Sequence, residues 1–332
     1  MDTRTGLIPP KIARALGTKR GRAVAAMLAV AAAAAIVYAS GAFSARRRAY
    51  AWPVTHLRAP GAANSSAIVD GSTIAAACVP GRPSFFETAD SFATDKTQHA
   101  PHHYEFAYQT LVAPRRCTAA SMLEIGLGCG MGYGPGHSVP LWMRYLPVAS
   151  ISVFEFDYPC LVDFLAHDPI VRALVPNDVA RLHLFSGDQS DPEALLRAVA
   201  TTGPYDIIVD DGGHTMMQQI VSLSVLLQHV KPGGVYVLED LATSFEPAVA
   251  DLSVSTVDFI ARIMACLHSA PLRERIDAQH SDLPVPHIPD DRVANVCDLA
   301  RLVESISCWE EVCIFTRWAQ GAEPPPWRGL KH

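Results

Sequence analysis

The chain has 332 residues, 49% of them hydrophobic and 18% charged, with a formal net charge of −6. That apolar fraction can bury a core and excludes wholesale disorder, and the absence of any recurring period excludes a repeat array. Residues 1–69 carry ten Lys/Arg against the single acid Asp2, whereas residues 70–332 carry 17 Lys/Arg against 32 Asp/Glu, a net of −15. So acidic a body excludes nucleic acid as a partner, because phosphate contacts need clustered Lys and Arg.

From Ala23 to Phe43 the chain is apolar or small, with Ser40 and Gly41 as interruptions. As a helix this run reaches about 31 Å at about 1.5 Å per residue, enough to cross a hydrocarbon core. Lys19, Arg20 and Arg22 flank one end and Arg46, Arg47 and Arg48 the other. The pattern predicts a basic tail over 1–22 and a single transmembrane or signal-anchor helix over 23–43. The excess of leading basic residues favours a lumenal body, in the Golgi or another endomembrane compartment. A signal sequence cleaved near Ala39–Ala42 and an organelle transit peptide are the competing readings. Asn64-Ser65-Ser66 is a glycosylation sequon just beyond the span. Eight cysteines form no Cys-x-x-Cys pair, so a structural zinc site is not indicated. Cys308 and Cys313 are candidates either for a disulfide or for free buried thiols.

Residues 44–84, with Pro53, Pro60, Pro80 and Pro83, read as a stem. From Phe85 onward, strands and helices alternate. Strands are expected at 121–125, 150–156, 181–185, 205–209 and 235–238. Helices are expected at 138–146, 159–174, 191–201 and 215–229. This alternation predicts a parallel sheet covered on both faces, with ligands beyond the carboxyl ends of its strands. Residues 241–300 read as mainly helical with a Pro-rich break at 283–289. A late strand is expected at 312–316 after a hairpin turn at Glu310 and Glu311, and the tail 321–332 reads as loose.

The first strand runs into Glu124-Ile-Gly126-Leu-Gly128-Cys-Gly130. Glycines here let a backbone approach a ligand closely. An acid two residues before the first glycine, with glycines at alternate positions, resembles the first motif of class I S-adenosylmethionine (SAM) methyltransferases. The resemblance implies that Glu124 faces the methionine ammonium and that Gly126, Gly128 and Gly130 make room for the cofactor. The second strand ends in Glu155-Phe156-Asp157, where Glu155 first and Asp157 second could accept from ribose hydroxyls. Asp188 and Gln189, after the third strand, are candidates to read an adenine edge, and Asp210 is grouped with these cofactor residues.

The fourth strand ends in Asp210-Asp211-Gly212-Gly213-His214 and the fifth in Glu239-Asp240. Parallel neighbours would bring Asp211, Glu239 and Asp240 to one rim, where three carboxylates repel unless a cation sits among them. Oxygen ligands suit Mg²⁺. His214, three residues after Asp211, could accept a hydroxyl proton near neutral pH. The competing reading is that Asp211 caps the next helix and His214 packs against it. His99, His102 and His103 read as a solvated loop, with lining of an acceptor site as the alternative.

Taken together, residues from about Phe85 to Phe245 resemble the bacterial macrolide-sugar O-methyltransferases. The resemblance rests on Thr94-Asp95-Lys96, His102-His103-Tyr104 and Tyr108, then Met122–Gly126 and Leu141–Pro147. Gly187–Asp191, Asp210–His214 and Lys231–Ser244 complete it. It implies a Rossmann-like SAM-methyltransferase sandwich over 85–320, a parallel α/β sheet with a late antiparallel strand. It also implies Mg²⁺ at Asp211, Glu239 and Asp240, His214 as general base, and a sugar or other small-molecule hydroxyl as acceptor. Gly213 stands where that family usually has Ser, and Phe245-Glu246 replaces its usual Tyr-Trp. A nicotinamide-dependent oxidoreductase on a similar sheet and an inactive tethered scaffold are the rival readings, and an oligomer is left open.

Overall fold

The computed structural model describes residues 55–57, 81–92, 94–97, 102–268 and 296–322. The predicted span 23–43, the sequon, His99 and the Pro-rich break 283–289 lie outside the described residues. No described helix is long and apolar enough to cross a membrane.

Eight strands form one sheet: β1 (Thr55–Leu57), β2 (Ser121–Ile125), β3 (Ser150–Glu155), β4 (Leu182–Ser186), β5 (Tyr205–Asp210), β6 (Val230–Leu238), β7 (Val303–Trp309) and β8 (Val312–Arg317). Their order is β1-β4-β3-β2-β5-β6-β8-β7. The five strands from β4 to β6 run parallel. The hairpin of β7 and β8 adds antiparallel strands at one edge, and β1 adds one at the other. The central strands are buried along their length, as a sheet covered on both faces requires.

The helices are α1 (Phe85–Ala89), α2 (Ser138–Tyr145), α3 (Tyr158–His167), α4 (Pro169–Ala173), α5 (Pro176–Arg181), α6 (Pro192–Thr202), α7 (Met216–Leu226), α8 (Thr256–His268) and α9 (Val296–Leu302). Asp157, Asp168 and Asp191 cap α3, α4 and α6 through backbone N–H groups, and each cap is followed by a proline in the first turn. That pairing satisfies one exposed donor and removes another. One apolar layer joins Leu123, Phe154 and Tyr236 to α6–α9, and another joins Met122, Ile151 and Val237 to α1–α3.

Three expectations need correction. Residues 159–174 are two helices, because Pro169 cannot continue the ladder of α3 and Asp168 restarts it. Helix α5 was not expected, and the expected hairpin turn at Glu310 and Glu311 joins β8 to a strand, β7, for which no range was given. The stretch read as a stem contributes β1, which pairs with β4, and Ser84, which caps α1 in a reciprocal bond with Glu87. The compact unit accordingly begins at Trp52.

Candidate active site

Strand order reverses between β2 and β5, and ligands in such sheets bind at that point. Here the Asp211 N–H donates to the Ile125 carbonyl at 3.0 Å, so the loops after β2 and β5 lie side by side. Gly126 has φ +97°, and a Cβ there would come within 2.0 Å of the Asp211 carbonyl oxygen. Only glycine fits, for both space and backbone conformation. The Glu239 N–H donates to the Asp210 carbonyl at 3.0 Å, which aligns the end of β6 with the same rim.

The structure thus brings Asp211, His214 and Asp240 together, but it turns Glu239 inward. Glu239 is fully buried, and its two oxygens accept from Lys96 Nζ and Tyr108 Oη. Lys96 also donates to Asp211 Oδ2. Burial alone would lower the pKa of the Lys96 ammonium. The carboxylates of Asp211 and Glu239 outweigh that and hold it well above its ordinary value. Asp240 Oδ1 accepts from Tyr104 Oη at 2.6 Å, while Asp240 Oδ2 lies 3.2 Å from His214 Nε2. His214 Nε2 is also 3.9 Å from Asp211 Oδ1, and its Nδ1 is buried with no partner among the described residues. His214 and Asp240 adopt the left-handed conformation, at φ 57° and 55°. For residues with a Cβ such backbone costs about 1–3 kcal/mol and clusters at functional sites.

The donor set fits a divalent cation. One ligand atom each from Asp211, His214 and Asp240 lie within 4.8 Å of one another. Lys96 is shared between Asp211 and Glu239, so the Asp240 carboxylate beside Asp211 lacks a cation of its own, which a dication would supply. Asp211 and Asp240 turn oxygens toward this point, while Glu239 accepts from Lys96.

The sequence marked Lys96, Tyr104 and Tyr108 only through the family resemblance and Glu311 only as a turn residue, and gave none of them a role in the site. Glu311 sits in the β7–β8 turn at φ 62°, and its Oε2 lies 2.8 Å from His102 Nδ1. The ring of His102 stacks on Tyr104 and reaches within 3.6 Å of Asp240. His102 therefore belongs to the rim rather than to a solvated loop, and His103 stays half exposed beside it.

Most of the acids expected at the cofactor site make bonds that brace the loops around it. The Glu124 oxygens accept from Ser138 Oγ and Trp142 Nε1, so this carboxyl anchors α2. Glu155 accepts from the backbone of Leu127 at 2.9 Å and of Asp157 at 2.7 Å, tying the glycine loop to β3. Asp157 caps α3 through Cys160, and Asp188 closes its own turn onto Ser190. Gln189 donates to Asp210 and accepts from Gly213 N–H. Asp210 is buried among Ser222, Tyr236 and Gln189, and burial pushes its carboxyl up to about 6. A Cβ on Gly213 would come within 2.2 Å of the Gln218 side-chain amide, which fits the glycine at that position.

Gly128 and Gly130 follow Gly126 into the left-handed region. Between them Cys129 forms a disulfide with Cys160 of α3, so the loop is pinned to the helix after β3. Thr94, Asp95 and Lys96 lie across the loop as a strap, and Tyr133 Oη donates to Asp95 at 2.7 Å. Strap and loop together line a partly open cleft.

No family model matches the chain. It is 34% identical over 195 residues to 8-demethyl-8-alpha-L-rhamnosyl tetracenomycin-C 2'-O-methyltransferase of Streptomyces olivaceus, covering 55% of this chain and 47% of that protein. It is 30% identical over 178 residues to mycinamicin VI 2''-O-methyltransferase of Micromonospora griseorubida, covering 52% and 40%. The chain thus spans less than half the length of these relatives, which are of the kind that its motifs resemble. Among solved structures, the MycE methyltransferase of the mycinamycin biosynthetic pathway, in complex with Mg and SAH, superposes with a TM-score of 0.55. That match covers 76% of this chain and 58% of MycE at 22% identity. The fold is therefore the Rossmann-like SAM-methyltransferase fold with a mixed sheet.

Proposed function

We propose that this chain transfers the methyl group of S-adenosylmethionine to a hydroxyl of a sugar or glycoconjugate, with Mg²⁺ as its resident cation. The observation that carries this reading is the meeting of Asp211, Asp240 and His214 at the switch point of the sheet. The relatives support the substrate class, since their names specify O-methylation of sugar positions.

SAM supplies the methyl group as a sulfonium, and Mg²⁺ on the oxygens of Asp211 and Asp240 would acidify a hydroxyl beside it. His214 Nε2 accepts the hydroxyl proton, and the carboxylates of Asp240 and Asp211 stabilise the imidazolium that results. Tyr104 and the ring of His102 hold the Asp240 carboxylate in place. Lys96 keeps Asp211 and Glu239 from repelling one another. Residues 94–97, with Tyr133 bonded to Asp95, lie over the glycine loop and would flank the bound donor.

The test is transfer of labelled methyl from SAM to a panel of glycosides, with Mg²⁺ or with EDTA. Transfer is expected with Mg²⁺ alone, and His214→Ala should lose at least about 100-fold in rate while SAM affinity persists. Equal turnover in His214→Ala, or no methyl transfer to any hydroxyl, would contradict the reading.

The body is further proposed to be lumenal and tethered through residues 23–43. The apolar run with its basic flanks supports this, as do the disulfides Cys129–Cys160, Cys266–Cys297 and Cys308–Cys313, since such bonds persist in oxidising compartments. Carbonate extraction of membranes should leave the chain in the pellet, and release into the supernatant would refute the tether.

A further inference from the structure

A groove of about 460 Å³ is lined by four arginines, Arg82, Arg116, Arg144 and Arg181. Arg116 precedes β2, Arg144 lies at the end of α2 before β3, and Arg181 ends α5 before β4. These positions mark the amino ends of the parallel strands, the edge opposite Asp211 and Asp240. The groove therefore lies apart from the candidate active site and is independent of the function proposed for it.

The arginines are not all alike. Arg181 is committed to structure: it donates to the carbonyls of Met143, Leu146 and Ala149 and pairs with Asp178 at 2.7 Å. Asp178 is the one acid in the groove lining among the described residues. Arg116 is held rigid, since its Nε donates to the Tyr145 carbonyl, its Nη1 to the Pro83 carbonyl, and its guanidinium lies 4.4 Å over the Tyr145 ring. Its Nη2 makes no bond among the described residues. Arg82 and Arg144 make neither a hydrogen bond nor an ion pair among the described residues. Burial lowers the pKa of Arg82 and Arg116, and the nearby positive charge of Arg144 lowers both further. Like charges are thus gathered, without carboxylates to match, on a body whose net charge from residue 70 onward is −15.

Guanidinium forks match tetrahedral oxyanions in geometry and charge. The groove is larger than such an ion, and its size falls in the ordinary range for small-molecule sites, about 300–1,000 Å³. Phe92, Met143 and Leu174 give it an apolar wall. We propose that this groove binds the phosphate or sulfate monoester of a sugar-sized molecule, with Arg82, Arg116 and Arg144 receiving the oxyanion.

The experiment is calorimetric titration of the full chain with glucose 6-phosphate, glucose 6-sulfate, glucose and inorganic phosphate. Both monoesters should bind, glucose should not, and inorganic phosphate should bind more weakly than either monoester. The double variant Arg82→Ala/Arg144→Ala should lose at least about tenfold in monoester affinity, two charge-assisted contacts being removed. Both residues lack internal bonds, so the variant should keep its melting temperature and its affinity for SAM. Failure of both monoesters to bind, or equal affinity in the double variant, would overturn the proposal. Phosphatidylglycerol vesicles that bind only with the arginines intact, when the soluble monoesters do not bind, would also overturn it and assign the groove to a lipid headgroup.

Discussion

At Lys96 a single ammonium, 1% exposed, joins Asp211 and Glu239, residues 115 and 143 positions away in the chain. Removing it leaves the buried Glu239 carboxyl and the partly exposed Asp211 without their cation, a loss of about 3–5 kcal/mol. Lys96→Met should therefore melt well below the wild type in EDTA, and Mg²⁺ should restore more of its melting temperature than it adds to the wild type. Equal melting with EDTA would show that Lys96 does not carry that charge balance. A second residue gives a pH signature. Burial pushes the Glu124 carboxyl up to about 7 from an ordinary value of 4.5. The folded state then holds this proton more tightly than the unfolded chain does. The contribution of Glu124 is complete below about pH 4.5 and is lost as pH rises through 7, at most roughly 3 kcal/mol. Glu124→Gln should thus gain stability relative to wild type between pH 5 and 8, as chemical denaturation at each pH would show. Asp211, His214 and Asp240 were legible because each closes a strand or a glycine turn. Lys96, Tyr104 and Tyr108 were visible only as pieces of the family resemblance and Glu311 only as a turn residue, because the partners that give them roles lie on distant segments.

Among elements, the central strands were legible as short apolar runs. β1 was not, since it is three residues long and pairs only as an edge. β7 was hidden because its side chains stay half exposed, which leaves no apolar run to see. The hairpin it forms carries Glu311 to the rim, with Cys308 and Cys313 bonded across the turn. The glycine loop was legible as a loop, but its fastening was not. Cys129 and Cys160 are 31 residues apart in sequence, and closing such a loop stabilises the folded state by about 3–4 kcal/mol in the chain-entropy account. Cys129→Ser/Cys160→Ser should shift the urea midpoint down accordingly and weaken SAM binding several-fold. Binding of a divalent cation at Asp211 and Asp240 should be unaffected. Unchanged SAM affinity would mean that the disulfide does not hold the cofactor loop.

For the molecule as a whole, the sheet separates two kinds of charge. Acids gather at the carboxyl ends of its parallel strands and arginines at the amino ends, so each edge is suited to a ligand of opposite sign. The order of strands and helices made the α/β class readable from sequence, whereas the domain start was not, because prolines disguised β1 and the Ser84 cap. A fragment from Trp52 should melt like the full chain, since the compact unit begins there. A fragment from Phe85 should lose about 1–3 kcal/mol and aggregate, because the edge of β4 is uncovered and α1 loses its cap. Equal melting of the two fragments would return residues 52–84 to the role of a passive stem.

In the proposed function Asp211 and Asp240 share one dication beside His214. Mn²⁺, a hard cation visible by electron paramagnetic resonance, can stand in for Mg²⁺. Titrating it into the full chain should show one bound ion per chain. Asp211→Asn and Asp240→Asn should each weaken its affinity at least about tenfold, as loss of a charged ligand requires. No bound Mn²⁺ in the wild type, or the same affinity in both variants, would contradict the account.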